Sequence, residues 1–140
     1  MKRVVLLIGV PGSGKSWVAS QLTSQYKYLP HDQFITSDYL RAIVAAYQMP
    51  DPKPLLVETP FSITKFFEGL APHGIEITPV FIIESKEVLA TRYFDRSGKY
   101  ILGGHLTRQK TYEERAKQLQ SFSGTSQEVL THLKRLGLES

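Results

Sequence analysis

The segment from Gly9 to Ser16 constrains the fold more than any other part of the chain. It follows a continuous apolar run, Val4–Ile8, and precedes a helical pattern that runs from Lys15 to about Gln25. The segment matches the pattern G-x-x-x-x-G-K-S in full, between a strand and a helix, where that pattern is most specific. Its glycines permit backbone torsions that let successive N–H groups surround phosphate oxygens at the positive end of a helix. The sequence therefore predicts a phosphate-binding loop.

Each residue of this loop has an expected role. The residues expected to surround the phosphates of a nucleotide are Gly9, Pro11, Gly12, Ser13, Gly14, Lys15 and Ser16. The ammonium group of Lys15 is expected to bridge the β- and γ-phosphates, and the hydroxyl of Ser16 to ligate Mg²⁺. ATP and Mg²⁺ are therefore the expected ligands.

Size and composition indicate one domain that spans residues 1–140. Hydrophobic residues make up 41% of the chain and charged residues 21%, which is ordinary globular composition. A net charge of +4 suits ligands that carry several phosphates. Cysteine is absent, which excludes disulfides and favours the cytoplasm. The four histidines lack the spacing of a zinc site, so no structural metal is expected, and no apolar run is long enough to span a membrane.

The remaining apolar and helical patterns alternate along the chain. Strands are predicted at Tyr28 to Pro30, Leu55 to Val57 and Ile77 to Ile83. Helices are predicted at Ser37 to Tyr47, Phe61 to Leu70, from Ser85 through Arg96, at Thr111 to Phe122, and from Thr125 to about Gly137. Strands that alternate with helices predict an α/β fold with a mostly parallel sheet.

Polar residues near the ends of the predicted strands are candidates for an acceptor site, because open α/β sheets bind ligands there. Asp32 follows the second strand and could accept a proton from an attacking hydroxyl group, or serve as a turn residue. Asp38 competes for the same role, although acidic residues are common in the first turn of a helix. Arg41, one turn further, is expected either to bind a substrate phosphate or to face solvent.

Two arginines, Arg92 and Arg96, are four residues apart and share one helix face. Two neighbouring guanidinium groups repel unless an anion lies between them, so both are expected to contact ATP phosphates; the alternative is a solvated basic face. The glycine-rich, basic segment 97–108 is expected to be a mobile lid over the phosphates, with Arg108 and Arg115 as further candidates.

Together, Gly9 to Ser16, His31 to Phe34 and Arg92 to Gly98 resemble the P-loop kinase family that includes phage-type polynucleotide 5′-kinases and adenylate-kinase-like nucleotide kinases. The resemblance spans most of the chain. It implies a P-loop NTPase three-layer sandwich with a C-terminal helical lid region. Because no fifth apolar run follows the lid segment, four strands are expected, the first one central. The resemblance also implies that Asp32 or Asp38 is the general base and that Arg96 contacts ATP phosphates during catalysis.

The chain departs from this family at the end of the third strand, where Glu58 stands in place of the more usual aspartate. Glu58 is therefore expected either to contact substrate or to support Mg²⁺ through water. Residues 122–126 are expected to form a turn between two helices, or a loop around adenine as in related kinases. Trp17 and Phe66 are expected in the core rather than stacked on a base.

These patterns predict phosphoryl transfer from ATP to a nucleic-acid 5′ end or a nucleotide. The alternatives are a kinase that acts on a small metabolite, and an ATP-binding regulatory protein with little transferase activity. A nucleotide or a nucleic-acid end is accordingly the expected partner.

Overall fold

The computed structural model describes residues 3–31, 36–58, 62–101 and 103–138. The strands are β1 (Val4–Ile8), β2 (Lys27–Leu29), β3 (Leu55–Glu58), β4 (Ile77–Ile82) and β5 (Phe122–Gly124). The helices are α1 (Lys15–Ser20), α2 (Thr36–Gln48), α3 (Ile63–Leu70), α4 (Lys86–Ser97), α5 (Gly103–Gln118) and α6 (Ser126–Leu138). A short 3₁₀ turn, Ala71–His73, follows α3.

The strands form one parallel sheet in the order β2-β3-β1-β4-β5. The predicted α/β class and the central position of β1 are confirmed. The predicted number of four strands is wrong, because Phe122–Gly124 pairs with the end of β4 as a fifth strand. This corrects the interpretation of residues 122–126 as a turn between two helices. The strand escapes pattern recognition because only its first residue, Phe122, is apolar.

Helices cover both faces of the sheet, and β1 shows why. All five of its residues are buried, and they alternate between two apolar clusters. Val4, Leu6 and Ile8 pack in a cluster that also contains residues of α2, α3 and α5. Val5 and Leu7 pack in a second cluster with residues of α1 and α6. Because β1 is buried on both faces, its sequence is a continuous apolar run. The helices that cover the two faces confirm the three-layer arrangement.

Several helix boundaries differ from those expected. Helix α1 ends at Ser20. Beyond it, hydrogen bonds join residues three apart, as when the Gln21 N–H donates to the carbonyl of Val18, and such bonds form a tighter turn than an α-helix. Helix α5 begins at Gly103 rather than at Thr111, so the second part of the segment expected to be a lid is helical. The predicted cap at Ser85 is confirmed, since its hydroxyl accepts the N–H of Val88 at 3.2 Å.

The parallel topology brings the carboxyl ends of the strands to one edge of the sheet. The loop from Gly9 follows β1, Glu58 ends β3, Glu84 follows β4, and Ser126 follows β5. Residues far apart in sequence therefore meet beside the glycine-rich loop. Among the described residues, no helix combines the length and apolar character that crossing a bilayer requires.

Candidate nucleotide-binding site

The loop after β1 has the backbone geometry of an anion cradle. Gly14 precedes α1 with φ of 105°, a conformation that side chains with a Cβ rarely adopt. A Cβ on Gly14 would also lie 3.0 Å from the Cβ of Ser126. At the start of the loop, a Cβ on Gly9 would lie 2.4 Å from the Ser13 hydroxyl. Gly14 is therefore favoured by its backbone conformation as well as by close packing, and Gly9 by close packing alone.

Lys15 lies at the mouth of this loop. Its ammonium group donates a hydrogen bond to the carbonyl of Gly9. Burial lowers the pKa of Lys15 below its ordinary value of 10.5, while the carboxylate of Glu58 raises it and the positive charges of Arg96 and Arg108 lower it further. The half-buried ammonium group of Lys15 therefore lies within electrostatic reach of two exposed arginines, and an added anion is favourable beside this concentration of positive charge.

A cavity of about 410 Å³ opens beside the loop. It is lined by Val10, Pro11, Gly12, Gly14, Lys15, Ser16, Trp17, Arg92 and Arg96. Its size is that of a small-molecule site. Trp17, expected in the core, is instead 44% exposed at this cavity, whereas Phe66 is buried in the core as predicted. The mixture of loop backbone, cations and one aromatic side chain suits a phosphorylated ligand.

Glu58 is buried at the carboxyl end of β3, beside the loop. Its carboxylate accepts the N–H of His31 at 3.4 Å, which joins the chain after β2 to the end of β3. The candidate base Asp32 directly follows His31 in sequence and lies outside the described residues. Glu58 thus connects the cationic region around Lys15 with the segment that leads to Asp32.

Asp38 and Arg41 lie in the first part of α2 and form an ion pair with each other, with 3.6 Å between the carboxylate oxygen and the guanidinium nitrogen. The side chain of Arg41 is 82% exposed, so this contact stabilises the helix only weakly. Among the described residues, the lining of the loop cavity includes neither of them. Asp38 and Arg41 therefore contact each other and do not line the cavity beside the loop.

Arg92 and Arg96 share one face of α4, as predicted, but their surroundings differ. The guanidinium group of Arg92 lies 2.9 Å from the carboxylate of Glu84 and donates to the carbonyl of Ser13 at 3.0 Å. Arg92 therefore has a counterion within the protein, so its charge does not require a ligand anion for balance. Arg96 is exposed, lines the cavity and lowers the pKa of Lys15. Arg115 instead donates to the hydroxyl of Thr64 on α3.

Three polar residues around the end of β4 received no individual role from the sequence: Glu84, Gln109 and Ser126, the last of which was considered only as part of residues 122–126. All three are buried. The rule that selected Asp32 and Glu58, an acid at the end of a strand, applies equally to Glu84. Gln109 and Ser126 lie on helices and carry no comparable local signal. Only the fold brings them to the end of β4.

The residues near the loop offer oxygen ligands of the kind that Mg²⁺ binds. Ser16 contributes a hydroxyl group that lines the cavity, and Glu58 contributes a carboxylate close enough to influence Lys15. Within the described ranges, no group of three or more histidine, aspartate or glutamate side chains is arranged to hold a metal ion by itself. This donor set fits an ion that is bound together with nucleotide phosphates, since Mg²⁺ is typically held by few protein ligands.

Comparison with solved structures identifies the fold. A gluconokinase from Sinorhizobium meliloti superposes with a TM-score of 0.61 and 22% identity, over 98% of this chain and 94% of that one. The tunicamycin resistance protein of Deinococcus radiodurans superposes with a TM-score of 0.66 and 17% identity, over 97% and 95% of the two chains. A de novo designed P-loop NTPase fold gives a TM-score of 0.57 at 10% identity, over 99% and 92%.

No protein-family model matches the chain, and no curated protein sequence matches it either. At such low identities, similarity to solved structures establishes the fold alone. The chain therefore has the P-loop NTPase fold, and its activity has to be argued from the site.

Proposed function

We propose that the chain is an ATP-dependent kinase that transfers the γ-phosphoryl group to a hydroxyl acceptor. The position of Lys15 supports this proposal most strongly. Its ammonium group lies at the mouth of the glycine-rich loop, within electrostatic reach of Arg96, Arg108 and Glu58. A cation held in a partly buried site, as Lys15 is, stabilises the charge on a transferring phosphoryl group better than a cation in water.

In the proposed reaction, the acceptor oxygen forms a bond to the γ-phosphorus of ATP as the bond to the β–γ bridging oxygen breaks. ADP leaves with the pair of electrons from that bond. The proton of the acceptor hydroxyl passes to a carboxylate, for which Asp32 and Asp38 are the candidates. Asp32 is the preferred base, because its sequence neighbour His31 contacts Glu58, whereas Asp38 pairs with Arg41.

Each cationic side chain has a separate task in this proposal. Lys15 binds the β- and γ-phosphates, and Arg96 stabilises the charge on the phosphoryl group during its transfer. Ser16 and, through water, Glu58 would hold Mg²⁺, which would neutralise phosphate charge. Arg92 is engaged with Glu84 and the loop carbonyls, so any contact that it makes with ATP is shared with those partners.

Two classes of acceptor are candidates for this reaction. The sequence resemblance to 5′-kinases favours a nucleic-acid end or a nucleotide. The structural similarity to the gluconokinase favours a small polyhydroxylated metabolite. A 5′-hydroxyl end and a sugar hydroxyl need the same carboxylate base, whereas a nucleotide that accepts the group on its phosphate attacks through an ionised oxygen and needs none.

The test is transfer of label from ATP that carries ³²P at the γ-position. The acceptors are 5′-hydroxyl oligonucleotides, mononucleotides, nucleosides, gluconate and related sugar acids. We expect labelled product in one acceptor class, and Arg96→Ala should lower kcat by about 10²- to 10³-fold. Asp32→Asn should lower kcat by orders of magnitude, whereas Asp38→Asn should leave most of the rate.

A matched control is Lys65→Ala, which removes an exposed lysine on α3 and should keep the activity of the wild type. The absence of labelled product with every acceptor class, under conditions in which ATP binds, would contradict kinase activity. That result would instead favour the regulatory ATP-binding protein.

A further inference from the structure

A buried carboxylate, Glu84, lies behind the glycine-rich loop on the side of α4. Its side chain is only 6% exposed. One carboxylate oxygen, Oε2, lies 2.9 Å from Nη1 of Arg92 and accepts the hydroxyl proton of Ser126 at 3.0 Å. A buried charge is tolerated when it has an opposite charge and further hydrogen bonds, and Glu84 has both.

Arg92 connects this carboxylate to the loop itself. Its guanidinium group donates to the carbonyl oxygens of Ser13 at 3.0 Å and Gly12 at 3.4 Å. The Ser13 carbonyl and the Gly14 N–H belong to one planar trans peptide unit, in which they point in opposite directions. Holding that carbonyl toward Arg92 therefore directs the Gly14 N–H to the other side of the loop.

Gly14 also packs directly against these side chains. A Cβ on Gly14 would lie 3.2 Å from Nη1 of Arg92 and 3.0 Å from the Cβ of Ser126. The hydroxyl of Ser126 accepts a further hydrogen bond from Nη2 of Arg92 at 3.4 Å. The position of the loop is thus coupled to the position of the Arg92 guanidinium group, which Glu84 and Ser126 fix.

The main chain of Glu84 is fixed from a third element. The buried side-chain amide of Gln109 accepts the N–H of Glu84 at 3.2 Å and donates to its carbonyl at 2.8 Å. Gln109 lies on α5 next to Arg108, whose charge reaches Lys15. Glu84 is therefore held on one side by α5, while it holds Arg92 and the loop on the other.

We propose that Glu84 is a positioning residue for nucleotide binding, acting through Arg92 on the Ser13–Gly14 peptide without contact with the nucleotide. The proposal rests on the proposed function only in that the loop binds a nucleotide. The competing arrangement is one in which Arg92 binds a phosphate directly and Glu84 serves only as its counterion in the absence of ligand.

The two arrangements predict opposite effects of Glu84→Gln on ATP affinity, measured by titration calorimetry in the presence of Mg²⁺. If Glu84 positions Arg92, the substitution weakens ATP binding by about tenfold, because the guanidinium group loses the charge that holds it at the loop. If Arg92 is a direct phosphate ligand, the same substitution releases Arg92 and tightens binding. The matched control is Glu87→Gln, an exposed charge in the first turn of α4, which should leave the affinity unchanged.

A double-mutant cycle strengthens the distinction. Arg92→Gln alone should weaken ATP binding, and the double variant with Glu84→Gln should bind no more weakly than Arg92→Gln, because both substitutions break the same contact. Additive losses, or tighter binding by Glu84→Gln, would overturn the proposal. Melting temperatures of all the variants establish that each one is folded.

A loss of affinity that is equal for ATP and ADP is also expected, since positioning acts on the loop and not on the γ-phosphate alone. If the wild type binds no nucleotide, the proposed function fails, and amide hydrogen exchange of residues 9–16 in the ligand-free protein tests the positioning role by itself. Glu84→Gln should then accelerate exchange in that segment while Glu87→Gln does not. Equal exchange in the two variants would overturn the proposal.

Discussion

The burial of Lys15 and the charges around it predict how ATP affinity depends on pH. Burial holds its pKa below 10.5, and Arg96 and Arg108 contribute in the same direction against Glu58. A bound phosphate adds negative charge beside the ammonium group and raises that pKa. The contribution of Lys15 to ATP affinity should therefore be fully present below the pKa of Lys15 in the ligand-free protein and should be lost as the pH rises from there through the higher pKa of the ATP complex. The measurement is the affinity for ATP at a series of alkaline pH values, followed by the fluorescence of Trp17, the single tryptophan.

The control for this prediction is Lys15→Arg. An arginine remains protonated throughout the alkaline range, so the affinity of this variant, whatever its absolute value, should not fall there. A decline that begins only above pH 10.5 in the wild type, or one that occurs equally in Lys15→Arg, would show that the burial of Lys15 does not govern nucleotide binding.

At the level of elements, α2 is joined to two strand ends by one side chain. The hydroxyl of Tyr39 donates to the carbonyl of Leu29 at 2.6 Å and accepts the N–H of Glu58 at 2.9 Å. Tyr39→Phe leaves those buried backbone groups without these bonds, and should lower the free energy of unfolding by about 1–3 kcal/mol in urea titrations. Tyr100→Phe, at a side chain that is 86% exposed, is the control and should change little. Equal stability of the two variants would contradict this role of Tyr39.

The sequence predicted those elements whose own residues carry a strong pattern. β1 was predicted because every one of its residues is apolar, and the start of α4 because Ser85 caps it. β5 was missed because three residues with one apolar side chain carry almost no periodic signal. Its strand character comes from pairing with β4, and beyond the end of β4 the Ile83 N–H donates to the carbonyl of Gly124 at 2.7 Å. The start of α5 was missed because glycine is a poor helix former and two glycines open that helix.

At the level of the whole molecule, the sequence located the glycine-rich loop between β1 and α1 but did not determine the partners of its side chains. Helical spacing predicted that Arg92 and Arg96 share a face. It could not predict that Glu84 neutralises Arg92 while Arg96 lines the cavity, because those contacts depend on how β4, α4 and α6 pack. Local patterns specify elements, whereas the tertiary arrangement specifies which charges meet.

The dissociation constant for ATP in the presence of Mg²⁺ tests most directly whether the Gly9 to Ser16 loop binds ATP. The wild type and Lys65→Ala should bind with the same Kd. Lys15→Ala should bind about 10- to 100-fold more weakly, because a charge-assisted contact of about 1.5–3 kcal/mol is lost. Equal affinities in all three proteins would contradict nucleotide binding at this loop.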